Sequence, residues 1–565
     1  EEIGLNKALE NAGIQVVETD LGEYIVQIRG EAPAHIITPA VHLRRADVGK
    51  TFQEKLGIPY TEDVAELTQA ARKILRQVFL SADIGISGVN FGIADQGMLC
   101  ILTNEGNGRM VTTLPQVHIA LMGMERIVPN LDDLALMLSL LPRSATGQKI
   151  TVYTNLIRGP RGNDEIDGCP ERHIILLDNG RTAMRNSPLA EALLCIRCGA
   201  CLNACPVFRE IGGHGYVSQH GKHTPYPGPI GSVISPALFG YPEFGNLARA
   251  STLCGACKEA CPVDINLPEL LLRIRAGQVS TEKPAKPNPP WWLKWGLRGF
   301  AVFASQPQLF SFAQKALRLL TSLTFPGNQW LPLPQWSGWG YGKNFPRPAA
   351  VTFQDLWKQQ STRINSIEPF PIQSSLKILE PEQTSSLEII NQKRSEDLVT
   401  RFTHELEALG GQVIQCDRAN LKPRLFTFLE REGLKPALTP QAQFELISLL
   451  DGDWMNDPSQ LFTKLDPSQS TILTTAQGAC AETGSILICS NSQSPLSASL
   501  IPETHLVLLH AAQIVATLAE LLHHPQIQNA RSSVIISGPS RTADIEMTLT
   551  IGVHGPKRLV AFLIV

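Results

Sequence analysis

Seven of the twelve cysteines lie close together in the chain, at spacings that suit metal ligation. The first run reads Cys195-Ile-Arg-Cys198-Gly-Ala-Cys201-Leu-Asn-Ala-Cys205-Pro206, which is the C-x2-C-x2-C-x3-C-P spacing of bacterial ferredoxins. Soft thiolate ligands suit iron and sulfide, whereas a zinc ribbon pairs two well-separated C-x2-C motifs. The run therefore predicts an iron–sulfur cluster in preference to structural zinc.

A second run reads Cys254-Gly-Ala-Cys257-Lys-Glu-Ala-Cys261-Pro262 and has Ser251 where the first cysteine of the pattern would stand. In two-cluster ferredoxins, the fourth cysteine of each run binds the other cluster. This rule assigns Cys195, Cys198, Cys201 and Cys261 to cluster 1, and Cys205, Cys254 and Cys257 to cluster 2. Cluster 2 is then either a four-iron cluster with an open or oxygen-ligated iron, or a three-iron cluster. Ser251 is the candidate oxygen ligand, or else a helix cap or loop serine.

Crossed ligands place the two clusters close together, as a short path for electrons needs. A purely structural role for the clusters is the alternative. The remaining cysteines are scattered through apolar or loop-like sequence, which predicts no ligation by Cys100, Cys169, Cys416, Cys480 and Cys489.

An internal repeat surrounds the cysteine runs. Residues 94–131 and 481–518 match without a gap at a constant offset of 387. In both copies, short apolar runs alternate with helical stretches, which predicts an α/β domain with a largely parallel sheet. The predicted strands are Leu99–Leu102, His118–Met122, His173–Leu177, Ile486–Ile488, His505–Leu509 and Leu559–Val565, and the predicted helices are Leu131–Leu141 and Ile514–Leu522.

A length of 565 residues predicts roughly three to five domains. We divide the chain into a first α/β domain (1–185, expected to lack its N-terminal part), a two-cluster module (186–278), a helical tryptophan-rich region (279–370), a linker (371–392) and a second α/β domain (393–565). An amphipathic helix at Trp291–Leu323 is expected to pack over the module, with a partner protein or a membrane surface as alternatives.

Composition excludes several classes of function. The apolar fraction is 43% and the net charge is -3, which indicates a globular protein with no overall attraction to nucleic acid. No apolar run reaches 18 residues, so the sequence predicts no transmembrane segment and a soluble, cytoplasmic protein.

Several motifs together resemble lactate utilization protein B, the iron–sulfur subunit of a three-protein L-lactate oxidation system. They are Gly88–Gly97, Asn104–Arg109, Leu114–His118, the two cysteine runs and Tyr226–Gly231. This resemblance covers about residues 1 to 360. The second copy, through Ile536–Glu546 and Gly552–Pro556, resembles lactate utilization protein C. The chain thus resembles a B–C fusion.

The resemblance implies two LUD-type α/β domains, similar in fold to CoA transferases and sugar-phosphate isomerases, that flank an α-helical ferredoxin-type module. It also implies oxidation of L-lactate to pyruvate together with a separate cysteine-rich protein A, whose Cys-Cys-Gly motif does not occur in this chain. Two features depart from the family pattern: the family's segment upstream of Glu1 is expected to be absent, and residues Gln219–His223 look like an insertion. In the second copy, Ser490–Pro495 lacks the glycines and the arginine of Asn104–Arg109, so the two copies need not bind the same ligand.

The sequence identifies candidate substrate-binding residues less specifically than it identifies the cluster ligands. Arg109 and Arg541, with His118 and His554, are candidates for binding a small carboxylate such as lactate. Alternatively, Arg541 pairs with a nearby acid, Asp544 or Glu546. His118 and His505 open apolar strands and are expected to be structural. No catalytic residue is assigned, and no flavin or nicotinamide fingerprint is present.

Two functions follow from these residues. The favoured one is an electron-transfer component of an L-lactate oxidation complex. The alternative is a CoA-transferase-like or metabolite-binding enzyme, with Glu105 or Glu482 as nucleophile and with structural or regulatory clusters.

Overall fold

The computed structural model describes residues 2–280, 291–324, 330–331, 344–349, 351, 353, 355–358, 387–449 and 470–565. These divide into one compact unit formed by Glu1–Lys286 and Ser386–Val565, and a second unit at Pro287–Ser385. The first unit contains both copies of the repeat and the cysteine-rich segment. No helix in the described ranges is both long enough and apolar enough to cross a membrane.

The first copy begins with four helices and continues as alternating strands and helices. The helices are α1 (Leu5–Asn11), α2 (Leu21–Arg29), α3 (Arg45–Leu56), α4 (Val64–Ser81), α5 (Asn107–Thr113) and α6 (Leu131–Thr146). The strands are β1 (Ile84–Gly88), β2 (Phe91–Ile93), β3 (Met98–Thr103), β4 (Val117–Gly123), β5 (Ile127–Val128), β6 (Tyr153–Ile157) and β7 (Glu171–Leu177). Helix α4 buries Leu67, Ala71 and Leu75, whose spacing of four residues forms one apolar face.

The cysteine-rich segment is built from short helices. They are α7 (Arg181–Arg185), α8 (Ala200–Ala204), α9 (Pro206–Ile211), α10 (Gly228–Phe239), α11 (Tyr241–Phe244), α12 (Ala256–Glu259) and α13 (Leu267–Arg275). Pro206 occupies the first turn of α9, where its missing N–H costs no helical hydrogen bond.

The described part of the second unit includes the helices α14 (Trp291–Ala304) and α15 (Pro307–Thr324), the short strands β8 (Trp330–Leu331) and β9 (Phe345–Pro346), and helical residues at 353 and 355–358. The prediction of one helix at Trp291–Leu323 was wrong, because Pro307 begins a new helix after the break at Ser305 and Gln306. Trp336, Trp339 and residues 371–386 of the predicted linker lie outside the described residues, and the last residues of that linker belong to the first helix of the second copy.

From residue 471 onward, the second copy repeats the strand order that the first copy has from residue 84, with one additional strand pair, whereas its opening elements differ. Its helices are α16 (Leu387–Ala408), α17 (Leu421–Glu432), α18 (Pro440–Leu449), α19 (Leu518–Leu522) and α20 (Pro525–Asn529). Its strands are β10 (Gln412–Cys416), β11 (Ala437–Leu438), β12 (Thr471–Thr475), β13 (Gly478–Cys480), β14 (Ser485–Cys489), β15 (Thr504–His510), β16 (Ile514–Val515), β17 (Ser532–Ile536), β18 (Arg541–Thr542), β19 (Thr550–Ile551) and β20 (Arg558–Ile564). The predicted helix at Ile514–Leu522 is shorter than expected, because Ile514 and Val515 pair with β13 and Thr517 caps the helix at Leu518.

Each copy contributes one parallel sheet. The first has the order β1-β4-β7 and the second has the order β10-β20-β15-β12-β11. A third, eight-stranded sheet combines the two copies in the order β16-β13-β14-β17-β6-β3-β2-β5. This order reads the same from both ends when each strand is replaced by its counterpart in the other copy, so the copies form an approximate two-fold pair.

The junction of the two copies is the antiparallel pairing of β6 with β17, in which Tyr153 lies opposite Ile536 and Ile157 lies opposite Ser532. The two copies also share a hydrophobic core, to which α6 contributes Leu134 and Leu138 and α19 contributes Leu521. The sequence predicts two separate α/β domains, whereas in the structure they form one continuous body.

Candidate functional site

Two short helices begin inside the two Cys-Gly-Ala-Cys sequences. Helix α8 follows Gly199, which has a φ of 73°, and helix α12 follows Gly255, which has a φ of 89°. Glycine adopts this left-handed conformation readily because it has no Cβ. The two C-x2-C motifs therefore have the same backbone conformation.

The residue before each of these motifs is also left-handed, although neither is a glycine. Arg197 has a φ of 63° and Leu253 has a φ of 57°. Such a conformation costs on the order of 1–3 kcal/mol at a non-glycine residue, and such strain is concentrated at functional sites. Sequence analysis missed this feature because neither an arginine nor a leucine signals a positive φ.

Four of the predicted ligands line one cavity. They are Cys195, Cys198, Cys201 and Cys261, the set assigned to cluster 1. Cys198 and Cys201 are buried, and the other two are half-buried. The remaining wall is mostly apolar, formed by Ile36, Ile196, Ile230, Val263, Ile265 and Leu267 together with Arg197, Gly199 and Pro262. The structure thus brings a cysteine of the second run to the three of the first.

Donors and positive charge surround the thiols. The Arg197 N–H donates to Cys195 Sγ at 3.4 Å, and the Ile265 N–H donates to Cys261 Sγ at 3.4 Å. Burial raises the pKa of the Cys195 thiol, while Arg197 and Arg126 act in the opposite direction. Hydrogen bonds to sulfur and nearby charge are features that tune iron–sulfur clusters. Cysteines, apolar wall and N–H donors together fit a bound iron–sulfur cluster.

The second group of cysteines is more open. Cys205 and Cys257 are buried and Cys254 is exposed. Burial, followed by the charge of Cys205, raises the pKa of Cys257 to about 11. The Tyr216 side chain, which sequence analysis did not single out, hydrogen bonds to Cys205. Because α8 packs against α12, the two groups are neighbours, and Cys201 and Cys257 interact electrostatically.

Ser251, the candidate oxygen ligand, has a local role. It follows the six-residue 3₁₀ helix Gly245–Ala250, and its Oγ accepts a hydrogen bond from the Leu253 N–H at 3.1 Å. The Ser251 carbonyl also accepts a hydrogen bond from Arg275. These bonds are those of a loop serine that holds a turn.

The five other cysteines are buried, and none of them lines the cavity of cluster 1. Cys100, Cys480 and Cys489 belong to the hydrophobic core shared by the two copies. Burial raises the pKa of the Cys169 thiol to about 11. Apolar burial of this kind keeps a thiol protonated and unreactive.

The two arginines predicted to bind a carboxylate are bonded within the protein. Arg109 is 2% exposed and donates to the carbonyl oxygens of Leu496 and Ser499 and to Ser499 Oγ, with its guanidinium over the Tyr153 ring at 4.9 Å. Arg541 donates to the carbonyl oxygens of Pro539 and Leu409. A carboxylate at either position would have to displace these bonds.

The histidines at the start of β4 and β15 occupy equivalent positions. His118 is bonded to Ser87 Oγ at 2.8 Å, and His505 is bonded to Thr474 Oγ1 at 2.8 Å. Burial lowers the pKa of both histidines to about 3. These contacts are those of structural histidines.

The two candidate nucleophiles have different surroundings. Glu105 is 4% exposed and accepts a hydrogen bond from the Leu21 N–H at 3.0 Å. Glu482 accepts one from the Leu518 N–H at 3.1 Å, at the first residue of α19. His554, the fourth candidate for carboxylate binding, lies 3.3 Å from Glu105.

Family models match both parts of this architecture. The LUD domain model matches residues 5–177 and 399–564, and the 4Fe-4S dicluster domain model matches residues 191–265. A solved structure of a DUF162 family protein from Deinococcus radiodurans covers 30% of this chain and 98% of its own, at 18% identity and a TM-score of 0.23, which supports no conclusion.

The chain is also similar in sequence to lactate utilization protein B of several bacteria. Lactate utilization protein B of Macrococcus caseolyticus is 46% identical over 366 residues, which are 64% of this chain and 74% of that protein. The lactate utilization protein B of Oceanobacillus iheyensis is 45% identical over 365 residues, with the same coverage of both chains. That of Bacillus cytotoxicus is 44% identical over 363 residues, which are 64% and 74% of the two chains. The chain therefore belongs to the lactate utilization protein B family, with LUD domains on either side of a 4Fe-4S dicluster domain.

Proposed function

We propose that this chain is the iron–sulfur electron-transfer component of a cytoplasmic complex that oxidises L-lactate to pyruvate. The observation that carries the proposal is the cavity shared by Cys195, Cys198, Cys201 and Cys261, because crossed ligation is the arrangement of paired clusters. A bound four-iron cluster supplies one-electron redox chemistry. The copy at residues 399–564 corresponds, in this proposal, to lactate utilization protein C.

Each part of the module has a task in this proposal. The apolar wall around cluster 1 excludes water, and the N–H groups of Arg197 and Ile265 stabilise the sulfur ligands. Cluster 2 is held by Cys205, Cys254 and Cys257, with its remaining iron position open or filled by an oxygen ligand. Because Cys254 is exposed, this end of the module is where electrons pass to or from another protein.

The partner in this proposal is a cysteine-rich subunit like lactate utilization protein A, and the substrate is a small carboxylate. Binding of that carboxylate by Arg109 or Arg541 stays a prediction. In the competing CoA-transferase-like function, Glu105 would have to reach a substrate from a position that is 4% exposed. We therefore favour electron transfer.

The test compares two cysteine variants of the full chain, purified without oxygen. Cys198→Ser removes a predicted ligand of cluster 1, and Cys489→Ser changes a buried cysteine of the core as a matched control. Iron and acid-labile sulfide are measured, with electron paramagnetic resonance spectra before and after dithionite. We expect Cys198→Ser to lose roughly half of its iron and all lactate-dependent reduction in the presence of the partner, and Cys489→Ser to lose neither.

The spectra also decide how cluster 2 is completed. A three-iron signal in the oxidised protein would mean that three cysteines suffice, and two reduced four-iron signals would mean an open or oxygen-ligated iron. Lactate oxidation at the normal rate in Cys198→Ser would contradict the proposal. Acyl transfer that survives loss of the clusters would support the CoA-transferase-like function in its place.

A further inference from the structure

Three carboxylates from distant parts of the chain meet in the interior between the two copies. Asp20 is the N-cap of α2, Glu105 follows β3, and Asp544 follows β18. Each offers an oxygen, and these oxygens all lie within 4.8 Å of one another. Among the described residues, no lysine or arginine forms an ion pair with any of the three.

Two polar atoms at this group of carboxylates have no hydrogen-bond partner in the described part of the chain. They are Glu105 Oε1 and His554 Nε2. The side chains are 5% and 1% exposed respectively, and His554 Nε2 lies 3.3 Å from Glu105 Oε2. Buried polar atoms are almost always satisfied, so two unpartnered ones side by side indicate a missing ligand.

The remaining contacts orient the carboxylates without neutralising them. The Leu21 N–H donates to Glu105 Oε2 at 3.0 Å, and the Gly22 N–H lies 3.1 Å from Asp20 Oδ1 and 3.2 Å from Asp544 Oδ2. Thr542 Oγ1 donates to Asp544 Oδ2 at 2.9 Å. Each carboxylate is held in place by N–H or O–H groups, as metal-binding carboxylates are.

The imidazole of His554 presents a hydrogen-bond acceptor to the three carboxylates. A hydrogen bond with the backbone of Thr19 acts to raise the pKa of His554, as donation from a ring N–H to a carbonyl does. Because Nε2 has no partner, this bond uses Nδ1 and leaves Nε2 with its lone pair. Histidines that bind metal ions commonly have a neutral imidazole whose other nitrogen is held by a hydrogen bond.

Two arginines near His554 bond to backbone carbonyl groups, although Arg76 Nη1 has no hydrogen-bond partner among the described residues. From α4, Arg72 donates to the carbonyl oxygens of Gly552 and Gly555, and Arg76 donates to those of Ile501 and His554.

We propose that Asp20, Glu105 and Asp544, with the unpartnered His554 Nε2 beside Glu105, form a binding site for one divalent cation that prefers oxygen ligands, such as Mn²⁺ or Mg²⁺. Carboxylate oxygens suit these hard cations, and the absence of cysteine from the set disfavours softer metals. The cation would compensate the buried negative charge and would join the N-terminal segment to both copies. This site is separate from the iron–sulfur module and does not depend on the proposed function.

The probe for this site is Mn²⁺ alone, added to the full chain with its clusters oxidised. Bound Mn²⁺ is measured by loss of the sharp paramagnetic resonance signal of free Mn²⁺ at room temperature. We expect one Mn²⁺ per chain, displaced by excess Mg²⁺. Glu105→Gln and Asp544→Asn should each weaken binding by roughly tenfold or more, because each removes a charged ligand.

The matched control is Glu165→Gln. Glu165 occupies the equivalent loop of the first copy, between β6 and β7, but both of its carboxylate oxygens have donors, from Ser490 and the Gly162 N–H. This variant should bind Mn²⁺ as the wild type does. Circular dichroism and the cluster absorbance of every variant establish that the fold is intact.

Three results would overturn the proposal. The first is no bound Mn²⁺ or Mg²⁺ in the wild-type protein. The second is binding that Glu105→Gln and Asp544→Asn both leave unchanged. The third is Mn²⁺ binding that the control Glu165→Gln weakens as much as Glu105→Gln does.

Discussion

The two copies of the repeat meet at two corners that the approximate two-fold relation makes equivalent. At the first corner, the loop after β3 faces the β17–β20 connection and brings Glu105 to His554. At the second corner, the loop after β14 faces the β6–β7 connection and brings Ser490 to Glu165. At the offset of 387, Ser492 replaces Glu105 and Asp167 replaces His554.

The two corners satisfy their charges in different ways. At the second corner, Asp167 accepts the N–H groups of Leu496 at 2.9 Å and Ser497 at 2.6 Å, and Glu165 also has donors for both oxygens. At the first corner, Glu105 Oε1 has no partner within the described residues. One fold thus supports a corner closed by hydrogen bonds and a corner with a buried carboxylate oxygen that has no partner among the described residues.

The largest effect is expected from Asp167→Ala. The substitution leaves the N–H groups of Leu496 and Ser497 without their charged acceptor, which should cost about 1 to 3 kcal/mol of stability. The midpoint of urea unfolding measures the loss. Asp167→Asn, whose amide oxygen still accepts one bond, should lose less. Equal midpoints for wild type and Asp167→Ala would mean that the second corner is not held by these bonds.

Ser490→Ala should have an intermediate effect. It removes the donor to Glu165 Oε1 and an acceptor for the Ser532 N–H, and so makes the second corner resemble the first. We expect a loss of about 1 kcal/mol, read from the same unfolding midpoints. A gain in stability on this substitution would show that the Ser490 bonds do not contribute.

The smallest effect, and one of opposite sign, is expected from Glu105→Gln in metal-free protein. The variant keeps an oxygen for the Leu21 N–H and removes one of three repelling carboxylates, so stability should rise by up to about 1 kcal/mol. Glu165→Gln should lower stability instead. The measurement compares the thermal unfolding midpoints of Glu105→Gln and Glu165→Gln without metal. A loss of stability in both variants would contradict the difference between the two corners.

Much of the architecture is readable in the sequence because it rests on local patterns. The cysteine spacing points to the residues that share the cluster cavity, and the offset of 387 identifies equivalent strands such as β3 and β14. Pro307, which divides the tryptophan-rich helix, was equally visible as a helix breaker.

Features that depend on contacts between distant parts of the chain could not be predicted from the sequence. Asp544 of the second copy meets Asp20 and Glu105 of the first through the contact between the copies, which no local pattern encodes. Arg109 looks like a ligand-binding cation in sequence, but the same contact brings the carbonyl groups of Leu496 and Ser499 within its reach. Charge in a sequence identifies a group that needs a partner, and the tertiary fold decides which partner it has.

The pairing of β6 with β17 also affects how the protein is made. The ribosome releases Tyr153–Ile157 long before Ser532–Ile536, because the cysteine-rich segment and most of the second copy lie between them. At about 5–20 residues per second, this delay is on the order of 20 to 75 s. Throughout that time, β6 is the open edge of a half-built sheet, a surface prone to aggregation. Nascent chains of this protein should therefore depend on chaperones until the last strands of the second copy emerge.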